Sequence, residues 1–296
     1  MFKIFNKQIL AKDVKRLDVK VPLIAARIAP GQFVMIITRE GGEWLPMTVA
    51  EAEPMRGLIT FIVQETSATT KELGAMTIGE EIFSIIGPLG QPAPIEKWGV
   101  VVCVATGVGT AQILPICKAL KKAGNKVIGV IGAKTKSSLT LEPQMRISCS
   151  RLLITTEDGS YERRGLASEI FKDIMETEMV KRVYAVGSAE MMQTVCEMTR
   201  AKSVKTLVQL NPAMSCGMGF CGSCRVRVGN KTVLACVSGP LFDGSEVDFD
   251  HFKTRLQSYR SFESVQEQAQ EKDEMTSSIS KFFPGTWKIK TGDNRP

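Results

Sequence analysis

The sequence predicts three consecutive units: a small antiparallel β-barrel, a doubly wound α/β domain and a short cysteine-rich unit. The first 95 residues alternate β-branched and aromatic runs with Gly and Pro turns, and later residues alternate apolar strands with helices. Four of the eight cysteines then fall within one short segment. A chain of 296 residues accommodates about two globular domains, so the cysteine-rich unit is an addition to them. The boundaries we predict are 1–95, 96–209, 210–250 and a C-terminal extension at 251–296.

The first unit is predicted from its strand and turn signals. Its strands are rich in β-branched and aromatic residues, which favour pleated, half-buried positions. Gly and Pro recur at intervals of about 10 to 20 residues, as in small antiparallel barrels. The expected strands are Phe2–Ala11, Val14–Val21, Phe33–Thr38 and Leu58–Gln64.

The pattern of apolar residues along the sequence changes after Gly99. Val100–Ala105 is a continuous apolar run, which is typical of a parallel strand buried on both faces. Further apolar strands alternate with helical patterns, and this alternation predicts a doubly wound α/β domain. The expected later strands are Lys126–Gly132, Leu152–Thr155, Arg182–Val186 and Thr206–Gln209, and the expected helices are Thr110–Ala123, Leu166–Met179 and Glu190–Arg200.

Composition excludes several classes of protein. Hydrophobic residues at 44% and charged residues at 23% are incompatible with wholesale disorder. No apolar run reaches the roughly 18 residues that a membrane span requires. The N-terminus lacks the apolar segment of a secretory signal, so a cytoplasmic location is expected.

Charge and histidine content narrow the chemistry. The net charge is +7, but Lys and Arg are spread along the chain, which argues against nucleic-acid binding. The charge instead favours an acidic partner such as a ferredoxin. Only one histidine, His251, is present, so a mechanism that depends on histidine acid–base catalysis is excluded. We expect no catalytic side chain, because a cofactor or cysteine would carry the chemistry.

The four clustered cysteines follow the spacing C-x4-C-x2-C-x11-C. The first three match the plant-type [2Fe–2S] run, which a later fourth cysteine closes. Intervening glycines allow the backbone to wrap closely, so that amide N–H groups can point at the sulfur atoms. The proposed ligands are Cys216, Cys221, Cys224 and Cys236.

The following residues support a short hairpin that returns the fourth ligand. Residues 224–228 alternate as a strand, Gly229-Asn230 makes a turn, and residues 232–235 lead back to Cys236. Zinc and a redox dithiol are the alternatives, but zinc ribbons usually contain two C-x2-C pairs. The other cysteines, which we interpret as small buried hydrophobic residues, are Cys103, Cys117, Cys149 and Cys196.

A glycine-rich turn follows the first strand of the α/β domain. The helix after it offers free N–H groups and a positive dipole end, which suit a phosphate or a polarised nicotinamide. The pattern is not a complete G-x-G-x-x-G motif, because Gln112 takes the third position. Later strands end where ligands gather in such sheets. The candidate nucleotide-binding residues are Thr106, Gly107, Gly109, Thr110, Ala111, Gly132, Asp158 and Gly187.

The predicted barrel contains two further candidate segments. One is Pro46-Met47-Thr48, and the other is the hydroxyl-rich stretch from Gln64 to a helix start at Lys71. The hydroxyl-rich turn of the second segment could hold a pyrophosphate. The alternative is an ordinary turn and helix N-cap.

Taken together, these motifs resemble the ferredoxin–NADP reductase superfamily over residues 1 to about 250. Within it the chain is similar to the electron-transfer subunit of dihydroorotate dehydrogenase B and to the small subunit of electron-bifurcating NADH-dependent ferredoxin:NADP oxidoreductase. The motifs that carry the resemblance are residues 30–34, 46–48, 69–73, 87–90, 107–111, the cysteine unit and residues 235–248. The last of these segments resembles the bifurcating small subunit more closely.

The resemblance implies FAD in the barrel, a [2Fe–2S] cluster and NAD(H) or NADP(H) as substrate. By position, Pro46, Met47 and Thr48 would flank the isoalloxazine ring. Along the FAD chain and pyrophosphate would lie Val63, Gln64, Thr69 and Thr70. NADH is favoured by this branch, although Lys134 and Lys136 could meet a 2′-phosphate.

Three positions depart from the pattern of the family. Leu45 stands where many members have an Arg that pairs with the FAD pyrophosphate, a loss that Arg39 or Lys71 could offset. Gln112 replaces the usual Pro. Cys216 replaces the Asp that bifurcating small subunits often have as the first ligand, which makes the cluster all-thiolate. The alternative of a dihydroorotate dehydrogenase electron-transfer subunit therefore stays open.

The function implied is an electron-transfer flavoprotein subunit that moves electrons between NAD(P)H, FAD and the cluster. A larger catalytic oxidoreductase subunit is the expected partner, and residues 251–296 are a candidate arm for it. The favoured type is the electron-bifurcating oxidoreductase, with dihydroorotate dehydrogenase as the alternative. A different class, an iron–sulfur scaffold or redox sensor that has lost flavin, stays open because of Leu45.

Overall fold

The computed structural model describes residues 2–258. Residues 1–254 form one compact unit, and a second unit begins at Arg255. Residues 249–258 are helical. Most of the predicted C-terminal arm, including the polar stretch Gln257–Ser280 from residue 259 onward and the aromatic Phe282, Phe283 and Trp287, lies outside the described residues.

The N-terminal region consists of eight strands and two short helices. Their bounds are β1 (Phe2–Ala11), β2 (Val14–Lys20), α1 (Pro22–Ala25), β3 (Phe33–Ile37), β4 (Leu45–Thr48), β5 (Glu51–Glu53), β6 (Leu58–Gln64), α2 (Ala68–Ala75), β7 (Glu81–Ile82) and β8 (Ser84–Leu89).

These strands form two antiparallel sheets around one apolar core. The larger sheet has the order β5-β6-β2-β1-β7 and the smaller one the order β4-β3-β8. Side chains from both sheets, such as Leu17, Ile36 and Phe61, pack in a single cluster. The outer strands β5 and β7 are only three and two residues long. The chain runs from one sheet into the other between β4 and β5 and between β7 and β8, and Phe83 N, between β7 and β8, donates to Thr38 O beside β3 at 3.2 Å.

The second region alternates strands and helices. Its elements are β9 (Val100–Thr106), α3 (Gly109–Lys122), β10 (Lys126–Ala133), a 3₁₀ turn (Lys136–Ser138), α4 (Glu142–Ser148), β11 (Arg151–Thr156), β12 (Arg163–Arg164), α5 (Ala167–Thr177), β13 (Val180–Val186), α6 (Ala189–Arg200) and β14 (Lys205–Gln209).

The strands of this region form a sheet with the order β12-β11-β10-β9-β13-β14 and a final antiparallel strand. All neighbouring pairs from β12 to β14 are parallel. The chain leaves β9 towards β10 on one side and later returns to β13 on the other, so the strand order reverses between β9 and β13. In sheets of this kind, ligands bind where the order reverses, at the carboxyl ends of the strands.

The cysteine-rich segment follows β14. It contains the antiparallel hairpin of β15 (Arg225–Val228) and β16 (Lys231–Leu234), the short helix α7 (Ala235–Ser238) and β17 (Leu241–Asp243). Strand β17 pairs antiparallel with β14 and forms the edge of the seven-stranded sheet. The segment that holds the cysteines is therefore tied to the α/β region by a backbone ladder.

Most predicted elements are present with small changes of boundary. The helix expected from Lys71 begins at Ala68, because Ser67 caps it: Thr70 N donates to Ser67 Oγ at 3.3 Å. Among residues 2–258, no helix is long and apolar enough to cross a lipid bilayer.

The linker between the first two regions is fixed by Asn125, which is only 5% exposed. Its Oδ1 accepts hydrogen bonds from the N–H groups of Trp98 at 2.7 Å and Gly99 at 3.1 Å. Its Nδ2 donates to the carbonyl groups of Glu96 at 2.8 Å and Leu120 at 2.9 Å. One side chain thus ties three backbone groups of the linker to the last turn of α3.

The substitution Asn125→Ala should therefore lower the free energy of unfolding by about 3 kcal/mol, because it leaves buried backbone groups unpaired. Urea unfolding followed by far-UV circular dichroism measures this change. Asn230→Ala, in the exposed hairpin turn, is the control and should change the value by less than about 0.5 kcal/mol. Equal effects of the two substitutions would contradict the role of Asn125.

Candidate functional site

The predicted nucleotide residues meet at the carboxyl edge of the parallel sheet. Gly107 N donates to Gly132 O at 3.1 Å, and Ser188 N, next to Gly187, donates to Thr106 Oγ1 at 3.4 Å. The turn therefore contacts the ends of both neighbouring strands, β10 and β13. The N-terminus of α3 has no side-chain cap, which leaves its dipole end open to an anion.

The turn depends on the absence of a side chain at Gly109. A Cβ atom added there would lie 2.4 Å from Val186 O, which belongs to the backbone of β13 and cannot rotate away. The next two predicted residues, Thr110 and Ala111, are 4% and 6% exposed. They hold the first turn of α3 against the core, and Gly107 is the exposed residue of the motif.

Asp158 organises the loops beside this edge. Its Oδ1 accepts from Ser160 N at 3.0 Å and Ser160 Oγ at 2.7 Å, and these hydrogen bonds hold the pKa of the carboxyl below its ordinary value. Ser160 Oγ in turn accepts from Lys136 N at 2.8 Å. The Lys136 ammonium lies 4.8 Å from the centre of the Tyr161 ring. The loops after β10 and β11 are therefore linked to each other.

The candidate flavin residues lie on β4, β6 and α2. Strand β4 pairs with β3, and the side chain of Met47 points into the N-terminal core. Val63 is fully buried in the same core, so only its backbone can face a ligand, whereas Gln64 is exposed. Thr69 Oγ1 lies 3.4 Å from Glu43 Oε2, which brings the start of α2 close to the segment before β4.

Thr70 has a structural role at the start of α2. Its Oγ1 accepts from Thr66 N at 3.0 Å and Ser67 N at 2.8 Å. The hydroxyl thus completes the helix cap that the sequence offers as the alternative to a pyrophosphate site. Arg39, considered as a substitute for the missing arginine, pairs with Glu72 of α2 at 3.1 Å.

Contacts bring the three groups of candidate residues to one region of the molecule. Glu51, three residues after Thr48, pairs with Lys118 of α3 at 3.6 Å. Asn211 Nδ2, which precedes the cysteine loop, donates to Gln112 Oε1 at 3.0 Å. The β4 segment, the glycine turn and the cysteine loop therefore converge on α3.

The four cysteines gather as two pairs of thiols. Cys224 Sγ and Cys236 Sγ are 3.3 Å apart. In the other pair, Cys221 lies within hydrogen-bonding reach of Cys216 Sγ. Cys221 is exposed, whereas the other three are buried. The loop from 216 to 224 and the hairpin that returns Cys236 thus place all four sulfur atoms in one neighbourhood.

Backbone N–H groups of the loop point at the sulfur atoms. Burial alone would raise the pKa of Cys216, but hydrogen bonds from the backbone of Cys221, Met218 and Phe220 outweigh it and bring the pKa to about 6. Met218 N lies 3.4 Å from Cys216 Sγ. At Cys236, burial and the neighbouring Cys224 thiol raise the pKa to about 12, although Gly219 N–H donates to this sulfur. The loop is built to stabilise negative charge on sulfur.

This arrangement supplies the donor set of a two-iron cluster. In a [2Fe–2S] cluster, four thiolates serve two irons. Two neighbouring thiol pairs with backbone donors directed at them match that donor set.

An apolar rim surrounds the exposed Cys221. We use this name for Met218, Phe220 and Val237, which are 45%, 77% and 45% exposed. Val237 lies against the loop between Met218 and Phe220, since a Cβ atom added at Gly219 would lie 2.6 Å from Val237 Cγ2. Exposed apolar side chains grouped in this way are typical of protein-binding surfaces.

The remaining cysteines are buried, as expected: Cys103, Cys117, Cys149 and Cys196. Cys117 lies within hydrogen-bonding reach of both Cys103 and Cys149, and its pKa is well above the ordinary value, chiefly because of the hydrogen bond with Cys103. Cys103, Cys117 and Cys149 belong to the core cluster that contains α3 and the parallel sheet.

Sequence reasoning missed several residues that position these groups. Met35 lies under the cysteine loop, and Gln91 donates from its backbone N to Gly239 O at 2.6 Å and from its side chain to Val237 O at 2.9 Å. Both contacts join segments far apart in the chain, so no local pattern reveals them. One signal was present: Phe33–Ile37 is apolar at every position, which indicates a strand covered on both faces.

Comparison with known proteins places the chain in a family. Residues 211–248 match the iron–sulfur cluster binding domain of dihydroorotate dehydrogenase B. A dihydroorotate dehydrogenase B electron transfer subunit homolog from Thermotoga maritima is 38% identical over 88% of this chain and 93% of its own. The electron transfer subunit from Clostridium perfringens is 31% identical over 76% and 89%.

A solved structure of NADH-dependent reduced ferredoxin–NADP oxidoreductase, described in terms of flavin-based electron bifurcation, is similar throughout. It is 37% identical, with a TM-score of 0.86 over 91% of this chain and 97% of its own. The chain belongs to the family of dihydroorotate dehydrogenase B electron transfer subunits and their homologues. Its fold is that of the ferredoxin–NADP oxidoreductases.

The close approach at Gly109 gives a stability test of the glycine turn. Gly109→Ala should lower the free energy of unfolding by about 2 to 3 kcal/mol, because α3 and β13 must separate. Gly107→Ala is the matched control: a Cβ atom there meets nothing within 4 Å, and the left-handed backbone costs only about 1 kcal/mol. Urea titrations of both variants measure the difference, and the reverse order of stabilities would contradict this description of the turn.

Proposed function

We propose that this protein is the electron-transfer subunit of an NADH-dependent ferredoxin:NADP oxidoreductase of the electron-bifurcating type. It would move electrons between NAD(P)H, FAD and a [2Fe–2S] cluster, to or from a larger catalytic subunit. The observation that carries the proposal is the convergence of the β4 segment, the glycine turn and the paired thiols around α3.

In this proposal the N-terminal region at 1–95 is the flavin-binding barrel of the fold and residues 96–209 are its doubly wound nucleotide-binding domain. Residues 210–250 form the cluster unit, and residues 251–296 are the partner arm. The parallel strand order supports the second assignment. The single core shared by the two N-terminal sheets supports the first.

The nicotinamide dinucleotide would bind across the carboxyl edge of the sheet. Its phosphates would face the open N-terminus of α3 at Gly107 and Gly109, with Thr110 and Ala111 holding that turn in place. Thr106, Gly132, Asp158 and Gly187 would line the remainder of the site. NADH is favoured over NADPH, since the ammonium of Lys136 already lies on the Tyr161 ring.

FAD would lie along β4 and towards α2. Pro46, Met47 and Thr48 would position the ring, the backbone of Val63 and the side chain of Gln64 would border the chain of the cofactor, and Thr69 would reach the pyrophosphate. Thr70 would contribute by fixing the start of α2. When bound, FAD would supply the redox chemistry: uptake of a hydride from the nicotinamide and release of electrons one at a time. No side-chain acid or base is needed for that step, in keeping with a chain that has one histidine.

The cluster ligands would be Cys216, Cys221, Cys224 and Cys236. The N–H groups of residues 218–221 would stabilise the charge on the sulfur atoms. A cluster held entirely by free thiols suits a reducing compartment, and the described cysteines are all free. We therefore propose a cytoplasmic location.

The larger subunit would dock over the apolar rim around Cys221. This surface combines exposed apolar side chains with the cations of Arg225 and Lys231 on the adjoining hairpin. Apolar centres with charged borders are typical of protein interfaces. An acidic partner such as a ferredoxin would be favoured by the same cations and by the net charge of +7.

The second candidate function is that of the electron transfer subunit of a dihydroorotate dehydrogenase. The match of residues 211–248 to that enzyme's cluster domain and the all-cysteine ligand set favour it. Purification of the native complex and identification of the large subunit separate the two. A barrel-type dihydroorotate dehydrogenase would replace the bifurcation proposal, and a large subunit with flavin and [4Fe–4S] centres would support it.

The proposal predicts that anaerobically purified protein shows absorption bands of both flavin and an iron–sulfur cluster, and that NADH bleaches the flavin. Gly107→Ala should weaken NADH binding at least about tenfold, because the added methyl group stands where the nucleotide backbone must approach. Stopped-flow flavin bleaching against NADH concentration measures this effect. Cluster bands without flavin would instead support the scaffold or redox-sensor alternative.

Single Cys→Ser changes at 216, 221, 224 or 236 should reduce the iron content well below the roughly two irons per chain of a [2Fe–2S] centre. Colorimetric iron analysis and electron paramagnetic resonance of the reduced protein measure the loss. Cys196→Ala is the control, because this buried thiol lies outside the loop and its removal should leave the iron content unchanged. Retention of iron in all four ligand variants would refute the ligand assignment.

A further inference from the structure

Strand β3 is buried on both faces, although its sheet has only three strands. Val34 and Ile36 point into the N-terminal core. Because side chains alternate along a strand, Phe33 and Met35 point the opposite way. Those two are nevertheless only 3% and 0% exposed. Another part of the chain must therefore cover this outer face.

The cysteine-rich segment provides the cover. A Cβ atom added at Gly217 would lie 2.4 Å from Met35 Cγ and 2.7 Å from Met35 Sδ, so the loop backbone rests directly on this side chain. Gly217 follows Cys216. A Cβ atom added at Gly90 would lie 3.0 Å from Phe33 Cε1 and 3.0 Å from Pro240 Cδ. One end of the cysteine-rich segment therefore rests on Met35, and at the other end Pro240 and Phe33 both lie next to Gly90.

The candidate flavin strand shares this face. In the antiparallel register, Met35 is opposite Pro46 and Phe33 is opposite Thr48. Paired residues project to the same side of a sheet, and their neighbour Met47 points into the core. Pro46 and Thr48 therefore project to the face on which the cysteine loop rests, and Met35 lies between the strand and the loop.

We propose that Met35 is a positioning residue for electron transfer between the flavin and the cluster. Its side chain would set the spacing between β4 and the backbone at Cys216, and Gly217 is required because no other residue leaves room for that side chain. The left-handed conformation of Gly217, with φ of +69°, directs the loop over Met35. This inference rests on the proposed function.

A complementary pair of substitutions tests the contact in the full-length, cofactor-loaded protein. Gly217→Ala places a methyl group where Met35 Cγ and Sδ lie, and Met35→Ala removes those two atoms. Each single change should slow NADH-driven reduction of the cluster at least about tenfold, since displacements near 1 Å at a reacting centre have effects of that order or greater. Flavin reduction by NADH should stay at the wild-type rate. The double variant should recover much of the loss.

Two further variants separate positioning from general loss of packing. Met35→Leu conserves volume and should keep cluster reduction within about threefold of wild type. Met192→Ala removes an equally buried methionine from α6, away from β3, and should leave the rate of cluster reduction unchanged. Both rates come from one stopped-flow experiment that monitors the flavin and cluster bands separately.

A readout independent of activity is the melting temperature of the four forms in the double-mutant cycle. Recovery of stability in the double variant, together with an altered paramagnetic resonance spectrum of the reduced cluster in Gly217→Ala, would support the contact. Wild-type rates of cluster reduction in both single variants would overturn the positioning role, even if their stabilities were coupled. Failure of NADH to reduce the flavin of the wild-type protein would overturn the proposed function instead.

Discussion

The burial of both faces of β3 is the constraint on which the arrangement of the molecule depends. One face closes the N-terminal core through Val34 and Ile36, and the other would expose Phe33 and Met35 if nothing covered it. Leaving two large apolar side chains in water would cost roughly 3 to 6 kcal/mol. The cysteine-rich segment removes them from water, and in doing so it acquires a fixed position beside β4. The hydrophobic effect thus places the candidate redox groups next to one another.

The parallel sheet fixes the other half of the site by a different interaction. Backbone ladders hold β9 between β10 and β13, and the close contact at Gly109 sets α3 directly against the end of β13. Lys118 of α3 pairs with Glu51 of the N-terminal sheet at 3.6 Å, and Val14 and Ile62 of that sheet belong to the same core cluster as α3. The glycine turn is consequently oriented towards the N-terminal region by the helix that it begins.

Much of this could be predicted from sequence, because it depends on local patterns. The alternating strands and helices after Gly99 could be predicted because their apolar patterns follow which residues are buried. The cysteine loop could be predicted because its first three ligands lie close together in the chain. The cap at Ser67 was harder to predict, since Thr70 could serve either the helix or a ligand. The seating of Gly217 on Met35 is beyond sequence reasoning, because it joins positions 182 residues apart and depends on a shape fit.

The exposure of Cys221 has a consequence for how such a centre survives in the cell. Three of the four thiols are covered by protein, and the fourth faces solvent at the middle of the apolar rim. A cluster held here would have a single corner open to oxygen, peroxide and chelating small molecules. A subunit that covers Phe220 would close that corner as well as receive electrons. Assembly would then be a form of protection, and newly made chains would be most vulnerable in the interval between cluster insertion and association.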